Sequence, residues 1–312
     1  MKIRKAIIGF LLITLFYVGL LIWVDSKNQV FGQLHQIIRD LPILMGFSFT
    51  SYIFRYIRWH WLLSRGGNSI GWFWGFLSYI SGFAFTATPG KVGELIRIRS
   101  LIKVGVQPSR VIAAFIFERG FDLIVVLGLA ALAVDRRDIF FVSLIFVGLF
   151  LGALVVVAFH PHLLTKISQY LLARKCIKLS HVTSMLRDGL FACRIWMNFK
   201  DISVSLILGL CAWICTSCSF VWFIGTLGVG IPTLQAFTVY PLSMLAGAAS
   251  MLPGGVGSTE LTIIVLLTWH GVAVGVATLS AIGFRFATIW FAVIAGFIAL
   301  GILEMKQYLS RN

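Results

Sequence analysis

The sequence predicts an all-α, polytopic helical membrane protein with two inverted repeats, each containing a Pro-Gly-broken, re-entrant helix pair. Three observations carry this prediction. Hydrophobic residues make up 59% of the 312 and charged residues 12%, with a mean hydropathy of +0.96, and several apolar runs reach the roughly 20 residues that a helix needs to cross a bilayer core. Two stretches inside those runs repeat one another, Pro89-Gly90-Lys91-Val92-Gly93-Glu94 and Pro253-Gly254-Gly255-Val256-Gly257-Ser258-Thr259-Glu260, and an arginine, Arg119 or Arg285, lies 25 residues beyond each glutamate. Finally, the lysines and arginines gather between apolar runs on alternate sides, as topology signals do.

In chain order, the first run, Ala6 to Val24, follows the basic start Met1-Lys2-Ile3-Arg4-Lys5. It has a long apolar core and no small-x-small cleavage site after it, so it reads as a transmembrane helix rather than a signal peptide. Further runs cover Leu41 to Leu63, Ile70 to Thr86, Ser109 to Val134, Ile139 to Phe159, Ile202 to Leu227, Thr233 to Leu252 and Val272 to Leu303. Lys91 to Ile102 and Ser258 to Trp269 are too short to span at about 1.5 Å per residue, so each is expected to pair with the run before it as a broken helix or re-entrant hairpin. The organisation is therefore one integral membrane domain over 1–312, with repeat 1 at about 70–134, repeat 2 at about 233–303 and a cytoplasmic basic loop at about 160–201.

Charge then orients the path. With the N-terminus inside and each broken pair returning to its own side, 19 of the 26 basic residues fall inside and four outside, namely Lys27, Arg39, Arg136 and Arg137. Lys91, Arg119 and Arg285 sit at or near membrane depth. Both termini come out cytoplasmic in a multi-pass protein of the inner membrane. The first broken pair enters from the cytoplasm and the second from the opposite face, an architecture familiar in secondary transporters.

The repeated motifs are the candidate site. Pro89 and Pro253 end the incoming helices, and Gly90, Gly93, Gly254, Gly255 and Gly257 permit tight turns and close ligand approach. Helices restarting after each break would offer amide groups and positive dipole ends to an anion, with Lys91 adding charge and Ser258 and Thr259 suited to N-capping. Glu94 and Glu260 are carboxylates at membrane depth. On the run from Ser109, Glu118, Arg119 and Asp122 share a patch at helical spacing, where a structural ion pair and a working site are alternatives. Arg285 has Phe284 and Thr288 where the first copy has Glu118 and Asp122, so it must look to Glu260 or to a bound anion.

Other classes are excluded. The net charge of +15 forms no solvated, aromatic-interleaved groove, so no nucleic-acid partner is expected. The six histidines have no acidic or thiol neighbours at ligand spacing, so no metal and no cofactor are expected. The five cysteines imply no disulfide framework. Arg55, Arg58, Trp59, Trp61 and Arg65 read as interfacial anchors attracted to anionic lipid.

These residues resemble the lysylphosphatidylglycerol synthase transmembrane region family, a flippase-like membrane module that also occurs alone. The resemblance rests on Arg55 to Arg58 with Trp59 and Leu62-Leu63, on Pro89-Gly90-Lys91-x-Gly93-Glu94, and on Glu118-Arg119-x-x-Asp122. It continues through Pro253-Gly254-Gly255-x-Gly257-x-x-Glu260 and the late Arg285. It implies movement of anionic phospholipid-like or polyprenyl-linked molecules between leaflets, without fixing which, and a functional partner enzyme of lipid or cell-envelope biosynthesis. The chain stops at Asn312, shortly after its last apolar run, whereas the full synthases continue into an aminoacyl-transfer domain. Aminoacylation is therefore not expected. A membrane-embedded lipid-modifying enzyme using Glu94 or Glu260 as base, and a scaffold for a pathway enzyme, stand as alternatives; no catalytic motif supports the first. Oligomeric state is left open.

Overall fold

The computed structural model describes residues 31–133, 136–174 and 176–309, and these form helices joined by turns, with no strand among them. The expected first span, Ala6 to Val24, lies outside the described residues. The fold starts with α1 (Phe31–Arg65), a 35-residue helix that runs through the middle of the bundle against α7 (Phe199–Thr226). At about 1.5 Å per residue α1 is about 52 Å long, more than a bilayer core requires.

The first broken pair departs from expectation. Ile70 to Thr86 holds only ten residues of α-helix, α2 (Trp72–Ser81), tightening into a 3₁₀ turn at Gly82–Phe85. Beyond Pro89 the chain does not restart as an α-helix. Pro89–Arg97 is a 3₁₀ segment with a kink, followed by one α-turn, Ile98–Leu101. Two consecutive left-handed residues at the kink prevent the i to i−4 ladder from starting, so the first break presents no long helix dipole.

A left-handed Gly105 and Pro108 at the first helical position then start α3 (Pro108–Ala130). It is followed by α4 (Arg137–Phe159), of whose most apolar stretch only 11% is buried inside the protein, so α4 presents itself to lipid. The expected basic loop at 160–201 is instead a helical hairpin, α5 (Pro161–Ala173) and α6 (Ile177–Ala192), with α6 packed on α3. Isolated helices of this length are marginal in water, and it is the packing of their apolar faces on each other and on α3 that holds them.

The second broken pair is α8 (Thr233–Ala249), a turn at Pro253–Gly255, and α9 (Ser258–Trp269). The final run divides into α10 (Val274–Arg285), a π-helical turn at Phe286–Trp290, and α11 (Phe291–Leu309). Among the described residues, three helical stretches are long and apolar enough to cross a membrane: Arg137–Val157, Phe199–Thr226 and Val274–Lys306. α1 and α3 fall outside that set because they carry the buried charges described below.

Two large apolar clusters make most of the core among the described residues, beside a small third one at Ile282 and Trp290. One gathers around Phe220, Phe223, Tyr240 and Phe284, the other around Tyr56, Trp59, Tyr79 and Trp196. Asp201, fully buried, ties α7 to α1 at one end: it accepts from Trp61 Nε1 (2.9 Å) and Arg65 Nε (3.3 Å) on α1, while its own amide is capped by Asn198 (3.0 Å) at the start of α7.

Candidate functional site

The two Pro-Gly turns pack against each other, and a Cβ placed on Gly254 would lie 3.4 Å from Ala87 Cα. Their backbones match. Gly90 (φ 60°, ψ 14°) and Lys91 (φ 56°, ψ 21°) in the first correspond to Gly254 (φ 64°, ψ 10°) and Gly255 (φ 66°) in the second. Glycine accepts this conformation freely, whereas a lysine held there costs on the order of 1–3 kcal/mol. Lys91 therefore stands where backbone preference alone would choose glycine.

Both glutamates meet the arginines 25 residues beyond them. Glu94 Oε2 accepts from Arg119 Nη2 at 2.7 Å, and Glu260 Oε1 from Arg285 Nε at 2.7 Å. The surroundings differ. Glu94 also accepts from Arg97 Nη2 (2.8 Å) and Thr86 Oγ1 (2.9 Å). Glu260 Oε2 accepts instead from the Gly257 amide (2.6 Å), and Arg285 Nη2 donates to Gly254 O (2.6 Å). One carboxylate thus caps α9 and holds the arginine, which in turn holds the turn.

That finding corrects the expected N-cap. Ser258 Oγ donates to Gly255 O (3.1 Å) and pairs with Ser250 Oγ (2.8 Å), while Thr259 Oγ1 is buried without a hydrogen-bond partner. The amide seat at the head of α9 is filled by the protein's own carboxylate. At the first turn, the Gly93 amide donates to Thr88 Oγ1 (2.8 Å) and is likewise satisfied internally.

Arg55 and Arg58, expected as interfacial anchors, turn into the site, where Arg97 joins them. Arg58 is 1% exposed and bonds Asp122 Oδ1 (2.8 Å), Arg55 Nη1 bonds Asp122 Oδ2 (2.9 Å), and Arg97 is buried beside Glu94 with its guanidinium 4.8 Å from the centre of the Tyr79 ring. Arg119 reaches Asp122 at 3.5 Å, but Glu118 turns away to Arg58 (3.5 Å) and Arg97 (4.0 Å). Three carboxylates on the α3 side cannot balance four buried or half-buried arginines and Lys91, so this half of the site keeps a surplus of positive charge. Desolvation makes such groups costly without partners, which is why they form one network.

A cavity of about 100 Å³ opens between the turns. Of the residues predicted from sequence, Lys91, Glu94, Arg119, Gly254 and Arg285 line it. Glu118, Asp122 and Glu260 stand behind as supports, and Pro89, Gly90, Gly93, Pro253, Gly255, Gly257, Ser258 and Thr259 shape the turns without lining it. Among its cations, Arg55, Arg119 and Arg285 each bond a carboxylate, while Lys91 Nζ has no hydrogen bond or ion pair among the described residues.

The wall given by α1 was missed. Ser48, Ser51, Tyr52 and Arg55 line the cavity, and with Arg58 they fall on one helical face of an apolar run, a spacing visible in the sequence. Ser48 Oγ and Tyr52 Oη donate to Ala287 O and Thr288 O, both at 3.0 Å. These carbonyls belong to the π-turn, whose widened ladder leaves acceptors to be satisfied from outside. That part of the site was not legible, since nothing in Phe286–Trp290 announces a π-turn.

An all-helical membrane bundle with converging ion pairs around a small polar cavity defines an integral membrane transport module. The sequence profile of the lysylphosphatidylglycerol synthase TM region matches residues 6–296, and the chain belongs to that family. It is a membrane-embedded, flippase-like lipid transport module. No curated protein and no solved structure matches it.

Proposed function

We propose that the protein moves an anionic, phosphate-bearing phospholipid or polyprenyl-linked lipid between leaflets, its headgroup passing through the cavity between the Pro-Gly turns. The observation that carries this reading is Lys91: a cation on a cavity wall, held in a strained conformation, with no counter-charge of its own. A phosphate supplies that charge and several acceptor oxygens. The cavity of about 100 Å³ suits a phosphate or about three waters but not acyl chains, which remain in lipid.

In this reading Glu94 and Glu260 occupy the arginines while the cavity is empty, and an arriving phosphate competes for Arg119 and Arg285. Transport follows if the inward-open and outward-open states bind the headgroup unequally. The equal Glu-to-Arg spacing, the equal 2.7 Å bonds and the matched turn backbones support two inverted repeats at about 70–134 and 233–303. The distribution of Lys and Arg supports an inner-membrane protein with cytoplasmic termini.

The test uses Lys91, because Arg285→Ala would also strand Glu260. In vesicles reconstituted with the protein and a headgroup-labelled phospholipid, Lys91→Gln should slow translocation at least about tenfold, and Lys91→Arg should keep more of the rate. Wild-type rates for Lys91→Gln in correctly folded protein would overturn the assignment.

A further inference from the structure

A second cavity, about 620 Å³, lies apart from the central ion pairs, between the start of α3 and the end of α6. Three guanidiniums, those of Arg110, Arg187 and Arg194, face a single carboxylate, Asp188. Asp188 is engaged by its neighbour Arg187 at 2.8 Å. Arg110 has no ion pair among the described residues, and its Nη1 is buried without a hydrogen-bond partner. The remaining wall joins polar Gln107 and Ser109 to apolar Phe191, Ala192 and Ile195, with Phe191 and Ile195 exposed and the Arg194 guanidinium 4.9 Å from the centre of the Phe191 ring.

Each of these features fits the same kind of ligand. The volume is that of a single small-molecule site. Forked guanidiniums match phosphate oxygens bidentately, and the positive end of the 23-residue α3 opens on the same space through Gln107, which makes no side-chain cap bond. An aromatic and aliphatic wall covers the part of the ligand that carries no charge. The floor is rigid: a Cβ on Gly189 would lie 3.1 Å from Ile112 Cβ, and Cys193 Sγ donates to Ala113 O at 3.4 Å, so α6 is locked onto α3.

We infer that this pocket binds a phosphate ester, with Arg110 and Arg194 as its principal ligands and Arg187 held partly in reserve by Asp188. The site is separate from the transport cavity, yet both stand on α3, which carries Arg110 in its first turn and Glu118, Arg119 and Asp122 two to three turns further on. The phosphate can come from a soluble ester or from a lipid headgroup at the membrane surface.

The full chain in phosphatidylcholine nanodiscs is titrated with inorganic pyrophosphate by calorimetry, and nanodiscs doped with phosphatidylglycerol are examined by native mass spectrometry for retained lipid. Binding in the first arm identifies a soluble source, retention in the second a headgroup. In whichever arm binds, Arg110→Gln with Arg194→Gln should weaken binding at least about tenfold, while Asp188→Asn, which frees Arg187, should tighten it. Both arms are repeated in Lys91→Gln, which weakens the transport cavity and leaves the binding that belongs to this pocket. Binding in neither arm, or binding to the Lys91→Gln protein that survives the double arginine substitution, would overturn the inference.

Discussion

Glu260 shows how much can depend on one side chain. Its two oxygens satisfy the Gly257 amide and the Arg285 guanidinium, and Arg285 passes the constraint on to Gly254 O. Arg285→Ala should therefore cost about 3–5 kcal/mol of stability, because it leaves a buried carboxylate without its counter-charge. Glu260→Ala with Arg285→Ala should cost less than the sum of the single changes, by about 0.5–3 kcal/mol in a double-mutant cycle of unfolding in detergent. Strict additivity would show that the pair is not coupled. At this scale the sequence was a good guide to charge partners twenty-five residues apart and a poor one to charges brought from other helices. Arg55 and Arg58 looked like interfacial anchors because they lie among tryptophans and further basic residues, and only the fold turns them inward onto Asp122 and Glu118.

Among the elements, α11 approaches the tight turn at Gly82–Phe85 through Gly296, whose Cα sits against the Phe83 and Ala84 backbone with no space for a methyl group. Gly296→Ala should destabilise by about 1–3 kcal/mol, read as a lowered midpoint in thermal unfolding. Gly301→Ala, on the same helix with nothing within 4 Å, is the control and should be neutral or mildly stabilising. The helices themselves were largely readable from apolar run length: Thr233 to Leu252 and Ile202 to Leu227 fall within a few residues of α8 and α7. The 3₁₀ course of Pro89–Arg97 was not, since a lysine in left-handed conformation leaves no mark in composition. Nor was the hairpin at 160–201, whose exposed Leu163, Ile167, Ile177 and Val182 alternate with basic residues and read as loop until packing on α3 is seen.

For the molecule as a whole, orientation is the property most directly open to measurement. Cys176 is exposed beside the α5–α6 hairpin, for which the proposed topology predicts a cytoplasmic position. A membrane-impermeant maleimide should label Cys176 in inverted vesicles and not in right-side-out ones; the reverse would invert the topology. Cys193, outside the spanning helices, should stay unlabelled near neutral pH in either preparation. Burial pushes its thiol up to about 12, so the reactive thiolate is scarce until the pH climbs toward that value.

The two turns also differ in what they can carry. A side chain on Gly255 would run into Thr259 Oγ1 at 2.7 Å and Gly247 Cα at 3.2 Å, so the second turn has no room for the counterpart of Lys91. The matched halves are thus permanently lopsided in electrical terms. Under the proposed transport, an anionic headgroup would find an ammonium without a bonded partner on the flank of the first turn, and on the other only a guanidinium already tied to backbone and carboxylate, an asymmetry that would bias its path.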